Sequence, residues 1–400
     1  MKKYKLVISR HVWHILLGVA SVALLLTLLW FRLGSLTYGN AADVEVASRT
    51  AAASWQNIIT NPLNAPYSVV GRLVVATGHD GITSQRLIST MFGALAATLF
   101  YFVARQWHRM RVAMLATWLF ISSSWFLHVS RLGTPEILWL VSILTIVVVL
   151  TPNKNGRQTS LALPTTLAAL IGVLYVPGMV WLVLAGIILQ RKNIFEAWEA
   201  TRAGWLRAAS IIGSLALIAP LIYGLIQSPL LVWQWIGLPA GTGPANLSVT
   251  NVLSNLVDVP KSLFVSSSFD PVHWLGTLPL LSSFEIIMFA LGAYFYATHL
   301  RAARTRLIVA LAGVAWALVG IIGINSISMV IPVVYLLLAA GIAYILHEWM
   351  KVFPNNPLAR TCGIVAILLA VFLTSVYQTR SYFVAWRYNI ETSKVFNTKL

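Results

Sequence analysis

Ser35-Leu36-Thr37-Tyr38-Gly39-Asn40-Ala41-Ala42-Asp43-Val44-Glu45-Val46-Ala47-Ser48-Arg49 governs how the rest of the sequence is understood. It follows an apolar run from Val12 to Phe31 and sets two carboxylates two positions apart, in a chain with 11 Asp and Glu among 400 residues. Carboxylates are costly near a bilayer, so a close pair at the end of an apolar run calls for a reason. The run has about twenty residues, the length that crosses a hydrocarbon core. A signal peptide also starts basic, as Met1-Lys2-Lys3-Tyr4-Lys5 does here, but its apolar region is roughly 7–15 residues. Asn40-Ala41-Ala42 matches a cleavage site only weakly. Residues 12–31 are therefore expected to be a retained transmembrane helix with its Lys-rich end in the cytoplasm.

Composition extends this to the whole chain. It is 58% hydrophobic and 10% charged, with mean hydropathy +0.79. Soluble domains carry about 25% charged residues, so a polytopic membrane protein is expected, one integral membrane domain over 1–400. The net charge of +17 does not indicate nucleic acid, because the basic residues lie between apolar spans rather than on one polar face. Anionic membrane lipids and phosphate-bearing lipids are the expected partners. The single cysteine, Cys362, excludes an intrachain disulfide and a thiolate zinc cluster.

Hydropathy places further spans near 84–104, 112–127 and 134–150, then an apolar hairpin over 161–189 broken at Pro177-Gly178. Others fall near 208–226, 284–299, 307–323, 327–346 and 361–377. The fold class is thus all-α, a bundle of about 11 transmembrane helices. Two longer segments, 32–83 and 227–283, and a polar, aromatic tail from Gln378 stand outside the spans. Arg191 to Arg207 is basic and amphipathic, as expected of an interfacial helix. Putting Lys2, Arg105, Lys154, Arg191, Arg301 and Lys351 in the cytoplasm gives that side about 18 of the 28 Lys and Arg. The other side receives Asp43, Glu45, Asp80, Glu136, Asp258, Asp270 and Glu285. The expected location is the plasma (inner) membrane, with the N-terminus inside and both long segments and the tail outside.

Several features then occur in one order. Asp43-Val44-Glu45 is followed by Asn61-Pro62-Leu63-Asn64-Ala65-Pro66-Tyr67 and by Arg86-Leu87 at the second span. Ser124-Trp125-Phe126-Leu127-His128-Val129-Ser130-Arg131-Leu132-Gly133-Thr134-Pro135-Glu136 crosses the next turn. Over residues 12–150 this order resembles the GT-C superfamily of membrane glycosyltransferases, nearest the branch of protein O-mannosyltransferases and aminoarabinose lipid A transferases. Those enzymes show an adjacent Asp-Glu early in the first outer loop, a Pro-Pro-Leu-Tyr-like stretch, an Arg-Leu, and a Ser-Arg followed by an acid. Here Val44 separates the two acids, and the Pro-Pro is Ala65-Pro66.

The resemblance implies transfer of a sugar from a polyprenyl-phosphate carrier to an acceptor hydroxyl of a protein, lipid or glycan, with inversion. One carboxylate removes the hydroxyl proton, and fixed cations hold the departing phosphate. Asp43 matches the leading Asp and is the first choice of base, with Glu45 second. In a helix the two point to different sides, so one proton would not be served by both. Arg131 and Arg86 are the expected phosphate-binding residues. Tyr67, His128, Glu136, Asp270 and His273 are expected to line the site.

Plainer readings stand beside these. Asp43 could simply open a helix, where the dipole favours acids, and Arg131 could anchor to headgroups. Glu136 after Pro135 suits a first helical turn, Tyr67 an aromatic belt, and Asp270-Pro271-Val272-His273-Trp274 a turn with a Trp anchor. His128 could be a satisfied interfacial histidine. No cofactor is called for. A divalent cation stays open, with no ligand spacing to indicate one. The absence of a soluble domain argues against a nucleotide-sugar donor. A non-catalytic scaffold of the same fold is the alternative, and a transporter ranks below it, because no repeat and no mid-span polar site is visible.

Overall fold

The computed structural model describes residues 10–35, 40–79, 81–151, 161–239, 248–267, 270–273 and 277–398, with side chains from Gly18 onward. Residues 1–5 and 36–39, Asp80, Lys154 and Trp274, named above, lie outside the described residues. The chain is 79% helical, and no strand occurs among the described residues.

The first apolar run is α1 (Arg10–Trp30). The long loop after it is not irregular but folds into α2 (Asp43–Ala51), α3 (Trp55–Thr60) and α4 (Ala65–Ala76). Next come α5 (Ile82–Trp107), α6 (Met110–Ser122), α7 (Ser124–Arg131) and α8 (Ile137–Leu150). The apolar hairpin is α9 (Ala162–Leu174) and α10 (Met179–Leu189), turning at Gly178 in the left-handed region, φ 79°. The basic segment supplies α11 (Arg191–Ala200), and α12 (Gly204–Gln227) follows. The second long segment contains α13 (Pro229–Trp235) and α14 (Val249–Phe264). The chain closes with α15 (Ser283–Ala297), α16 (Ala303–Ile322), α17 (Ile331–Val352), α18 (Pro357–Arg380) and α19 (Ile390–Val395).

Among the described residues, five helices are individually long and apolar enough to cross a membrane: α5, α12, α16, α17 and α18, the last extended to Trp386. The bent pair α6–α7 makes six, and six shorter apolar helices accompany them. The chain is an integral membrane protein, and helix length alone supports fewer full spans than the 11 expected. The clearest departure is the span expected over 112–127. It breaks at Ser123, and α7 turns 62° away from α6. The cause is local: Ser123 leaves the helical region, and its Oγ accepts from Phe126 N at 3.2 Å, which caps a new helix.

Most of α17 is buried inside the bundle, whereas most of α12 and α18 is not. α17 packs on α15 through Gly292 and Gly341. A Cβ at either would run into the facing backbone, Leu337 O or Met288 O, so only small residues allow this approach. Glu285 is buried at the start of α15. It accepts from Tyr335 Oη at 2.7 Å, Ser282 N at 2.8 Å and Gln378 Nε2 at 2.8 Å. Gln378 Oε1 in turn accepts from Ser124 Oγ at 2.6 Å, so one polar chain ties α7 to α15, α17 and α18.

Candidate functional site

The site is built where α2, the first turn of α5, α7 and the chain beyond α18 meet. α2 starts at Ala42 in extended conformation and has both acids in its first turn. Two positions on a helix differ by about 200°, so the pair must split. Asp43 is exposed and Glu45 is fully buried.

Glu45 is fully engaged. Its Oε1 accepts from Arg86 Nε and Gly133 N, each at 2.9 Å. Its Oε2 accepts from Arg86 Nη2 at 3.0 Å and Ala42 N at 3.2 Å. A carboxylate has about four acceptor positions, and these four donors fill them. Arg86, in the first turn of α5, also donates to Leu33 O at 3.3 Å and Asn40 O at 2.9 Å. Its charge is neutralised by Glu45, and the pair fastens α2 to α5. Tyr67 of α4 is buried rather than at a membrane boundary. Its hydroxyl meets Gln85 O at 3.1 Å and Ser89 Oγ at 2.8 Å, and its ring stacks on Phe92.

α7 carries His128 and Arg131, and all eight of its residues are buried. It lies so close to α5 that a Cβ on Gly93 would come within 2.6 Å of Ser130 Cβ. Arg131 donates from Nη1 to Leu28 O and from Nη2 to Phe31 O, each at 2.5 Å, at the C-terminal end of α1. Helix C-terminal carbonyls attract a cation. The guanidinium also lies 4.6 Å from the Phe383 ring centroid and 5.4 Å from that of Tyr382. It makes no ion pair among the described residues, and its Nε has no hydrogen-bond partner. His128 sits edge-on between Tyr382 and Trp386, 4.7 Å from each ring.

Those aromatic residues come from the tail expected to trail outside. Instead α18 runs into a π-helical turn, Ser381–Trp386, and the chain folds back onto the first loop. Ala41 and Thr398 form a backbone bridge, and Thr398 Oγ1 donates to Asp43 Oδ1 at 3.2 Å. Trp386 Nε1 donates to Pro271 O at 2.9 Å. Arg86, His128, Arg131, Tyr382, Trp386 and Phe396 line a cleft between these parts, with room for about one water molecule.

Glu136 and His273 pair on one flank. Glu136 immediately precedes α8, and its Oε2 lies 2.9 Å from His273 Nε2. Asp270 is exposed, accepts from Val272 N at 3.1 Å and shapes the turn that delivers His273. Burial opposes the imidazolium most strongly. The charge and hydrogen bond of Glu136 and the charge of Asp270 together outweigh it, and His273 is pushed above its ordinary value.

The structure thus brings Arg86, His128 and Arg131 to one cleft, and Asp43 is bonded to Thr398, two residues along the tail from Phe396, which lines that cleft. Glu136, Asp270 and His273 form a separate flank, and Tyr67 packs behind α5. The tail residues Tyr382, Phe383, Trp386, Phe396 and Thr398 escaped the sequence reading. The one signal was the density of aromatic residues beyond Gln378, with Tyr382 and Trp386 four apart.

No family model and no curated protein matches the sequence. Solved structures do match its fold. The oligosaccharyltransferase of Archaeoglobus fulgidus in the apo form superposes with TM-score 0.54 at 13% identity, over 95% of this chain and 57% of that one. The same archaeon's oligosaccharyltransferase AglB, in complex with an inhibitory peptide and a dolichol-phosphate, gives TM-score 0.52 at 13% identity, over 94% and 56%. These two structures and this chain share a fold. ArnT from Cupriavidus metallidurans, bound to undecaprenyl phosphate, gives TM-score 0.49 at 13% identity, over 97% of this chain and 77% of that one. This chain spans little more than half the length of the oligosaccharyltransferases it matches.

Proposed function

We propose that this chain is a membrane glycosyltransferase that moves a sugar from a polyprenyl-phosphate carrier to an acceptor hydroxyl on the extracytoplasmic face. The observation that carries the proposal is Arg131. A fully buried guanidinium with no carboxylate partner among the described residues is costly, and a phosphate in the adjoining cleft would supply the missing anion. Arg86 contributes little net charge, because Glu45 neutralises it. The dolichol-phosphate held by AglB, a neighbour of the same fold, supports this class of carrier.

In this reading Asp43 takes the proton from the acceptor hydroxyl as its oxygen attacks the anomeric carbon. The carbon–oxygen bond to the phosphate breaks, and Arg131 holds the departing phosphate. Glu45 has no acceptor position left for a proton in transit and acts by seating α2. Inversion follows from a single displacement of this kind.

The test is binding of undecaprenyl phosphate to the protein in lipid nanodiscs. Wild type is expected to bind it, Arg131→Lys more weakly, and Arg131→Ala not at all, since lysine keeps the charge and loses the planar fork. Equal binding by all three would remove Arg131 from the site. The narrow cleft, walled by Tyr382, Trp386 and Phe396, favours a second reading, a non-catalytic scaffold of the same fold. Failure of wild type to bind any polyprenyl phosphate would support it.

A further inference from the structure

The end of the bundle away from the cleft carries a second surface. α8 begins beside the cleft at Glu136, and at its other end Leu150 O accepts from Asn193 Nδ2 of α11 at 2.7 Å. α9 also ends on the cleft side, where Tyr175 O accepts from Asn64 N of the first loop. α11 therefore lies across the opposite end. There α9, α11 and α12 leave an open groove walled by Leu163, Leu167, Ile194, Trp198 and Ile211, with Arg191 on its rim.

α11 sorts its side chains by face. At about 100° per residue, Arg191, Ile194, Phe195 and Trp198 fall in one arc, and all four line the groove. Lys192, Glu196 and Glu199 fall in another arc and are exposed. Both carboxylates of the helix thus point away from the groove. Arg191 at the rim makes no ion pair among the described residues. A second cation is fixed at the other end of α11: Arg207 Nε donates to Thr201 O at 2.6 Å, and its guanidinium lies 5.1 Å from the Trp198 ring centroid. Exposed Phe195 and Trp205 give this end the aromatic character of a membrane boundary.

We propose that the groove binds one anionic glycerophospholipid, an acyl chain lying against Leu163, Leu167 and Ile211 and the phosphate-bearing headgroup meeting Arg191. The apolar walls take the chain. The rim is cationic with its carboxylates turned away, so an anionic headgroup is favoured over a zwitterionic one. The groove is distinct from the donor cleft, because the length of α8 separates them.

Native mass spectrometry of the detergent-purified full chain tests this, with phosphatidylglycerol, phosphatidylcholine and undecaprenyl phosphate as probes. One phosphatidylglycerol is expected to be retained, with phosphatidylcholine held at least about fivefold more weakly. Arg191→Ala should weaken phosphatidylglycerol about fivefold, the effect of one basic residue near an anionic headgroup. Ile194→Trp, which fills the groove and leaves the charge unchanged, should weaken both phospholipids. A lipid-free melting temperature equal to wild type in at least one variant shows that the loss is not one of folding. Equal retention of the two phospholipids overturns the proposal, as does retention that neither variant alters. So does preferential retention of undecaprenyl phosphate that Arg191→Ala abolishes, which would make the groove a carrier site.

Discussion

Glu45 and Arg86 lie 41 positions apart in sequence and meet in a two-pronged ion pair, Oε1 to Nε at 2.9 Å and Oε2 to Nη2 at 3.0 Å, with both side chains buried. The pair decides which acid of Asp43-Val44-Glu45 stays available at the surface. Breaking a buried pair from one side leaves a stranded charge and costs about 3–5 kcal/mol. Glu45→Gln and Arg86→Gln should each lower the thermal unfolding temperature in detergent markedly. A double replacement by Glu45→Leu and Arg86→Met should recover part of that loss. Single variants as stable as wild type would contradict the structural role given to the pair.

The close approach of α5 and α7 predicts a second sensitivity. Gly93→Ala puts a methyl within 2.6 Å of Ser130 Cβ, which has no flexible end to yield. The substitution should push α7 outward, destabilise by about 1–3 kcal/mol, and weaken polyprenyl-phosphate binding through the displaced Arg131. Thermal unfolding and binding measured together check it, and a variant unchanged in both would argue against this packing.

Much of the bundle was legible in the sequence, for a physical reason. Spans such as α5, α12 and the α9–α10 hairpin are set by local hydropathy and by Pro177-Gly178. The break at Ser123 was not, because a hydropathy window averages across α6 and α7, and one serine hydroxyl bonded to Phe126 N makes the bend. The candidate acids and cations were found as residue types, but not their partners. Pairings such as Arg131 with Leu28 and Phe31, or Thr398 with Asp43, leave no local pattern. The packing of the tail on the first loop was not legible, because its aromatics, read alone, suit a boundary as well as a wall of the cleft.

His273 gives the site flank a pH dependence of fixed sign. Its value is raised in the folded chain above the ordinary 6.5. The pair with Glu136 therefore contributes its full stability below about pH 6.5 and loses it as pH rises through the raised value. Unfolding temperature relative to His273→Gln should show the wild-type advantage at mildly acidic pH and its decline toward alkaline pH. An advantage that grew with pH would reverse the assignment.

The arrangement of the two ends of the bundle predicts a labelling pattern. With Cys362 replaced by serine, cysteines at Gln56 and Asp270, both exposed, one on the first loop and one on the second long segment, should react with an impermeant thiol reagent from the extracytoplasmic side. A cysteine at Lys192, on α11 at the far end, should react only from the cytoplasmic side. Labelling of Gln56 and Asp270 from opposite faces would contradict the shared end seen in the Trp386 to Pro271 and Ala41 to Thr398 contacts.

In the proposed mechanism Asp43 is the base, an exposed acid that accepts a hydrogen bond from Thr398. The decisive measurement is sugar transfer in reconstituted vesicles from a panel of polyprenyl-phosphate sugars, comparing wild type with Asp43→Asn. Asparagine keeps the shape and cannot accept the acceptor's proton. Transfer should fall by about 10²–10⁴-fold, the usual worth of a general base, with the unfolding temperature unchanged. Transfer by Asp43→Asn at the wild-type rate would contradict the mechanism.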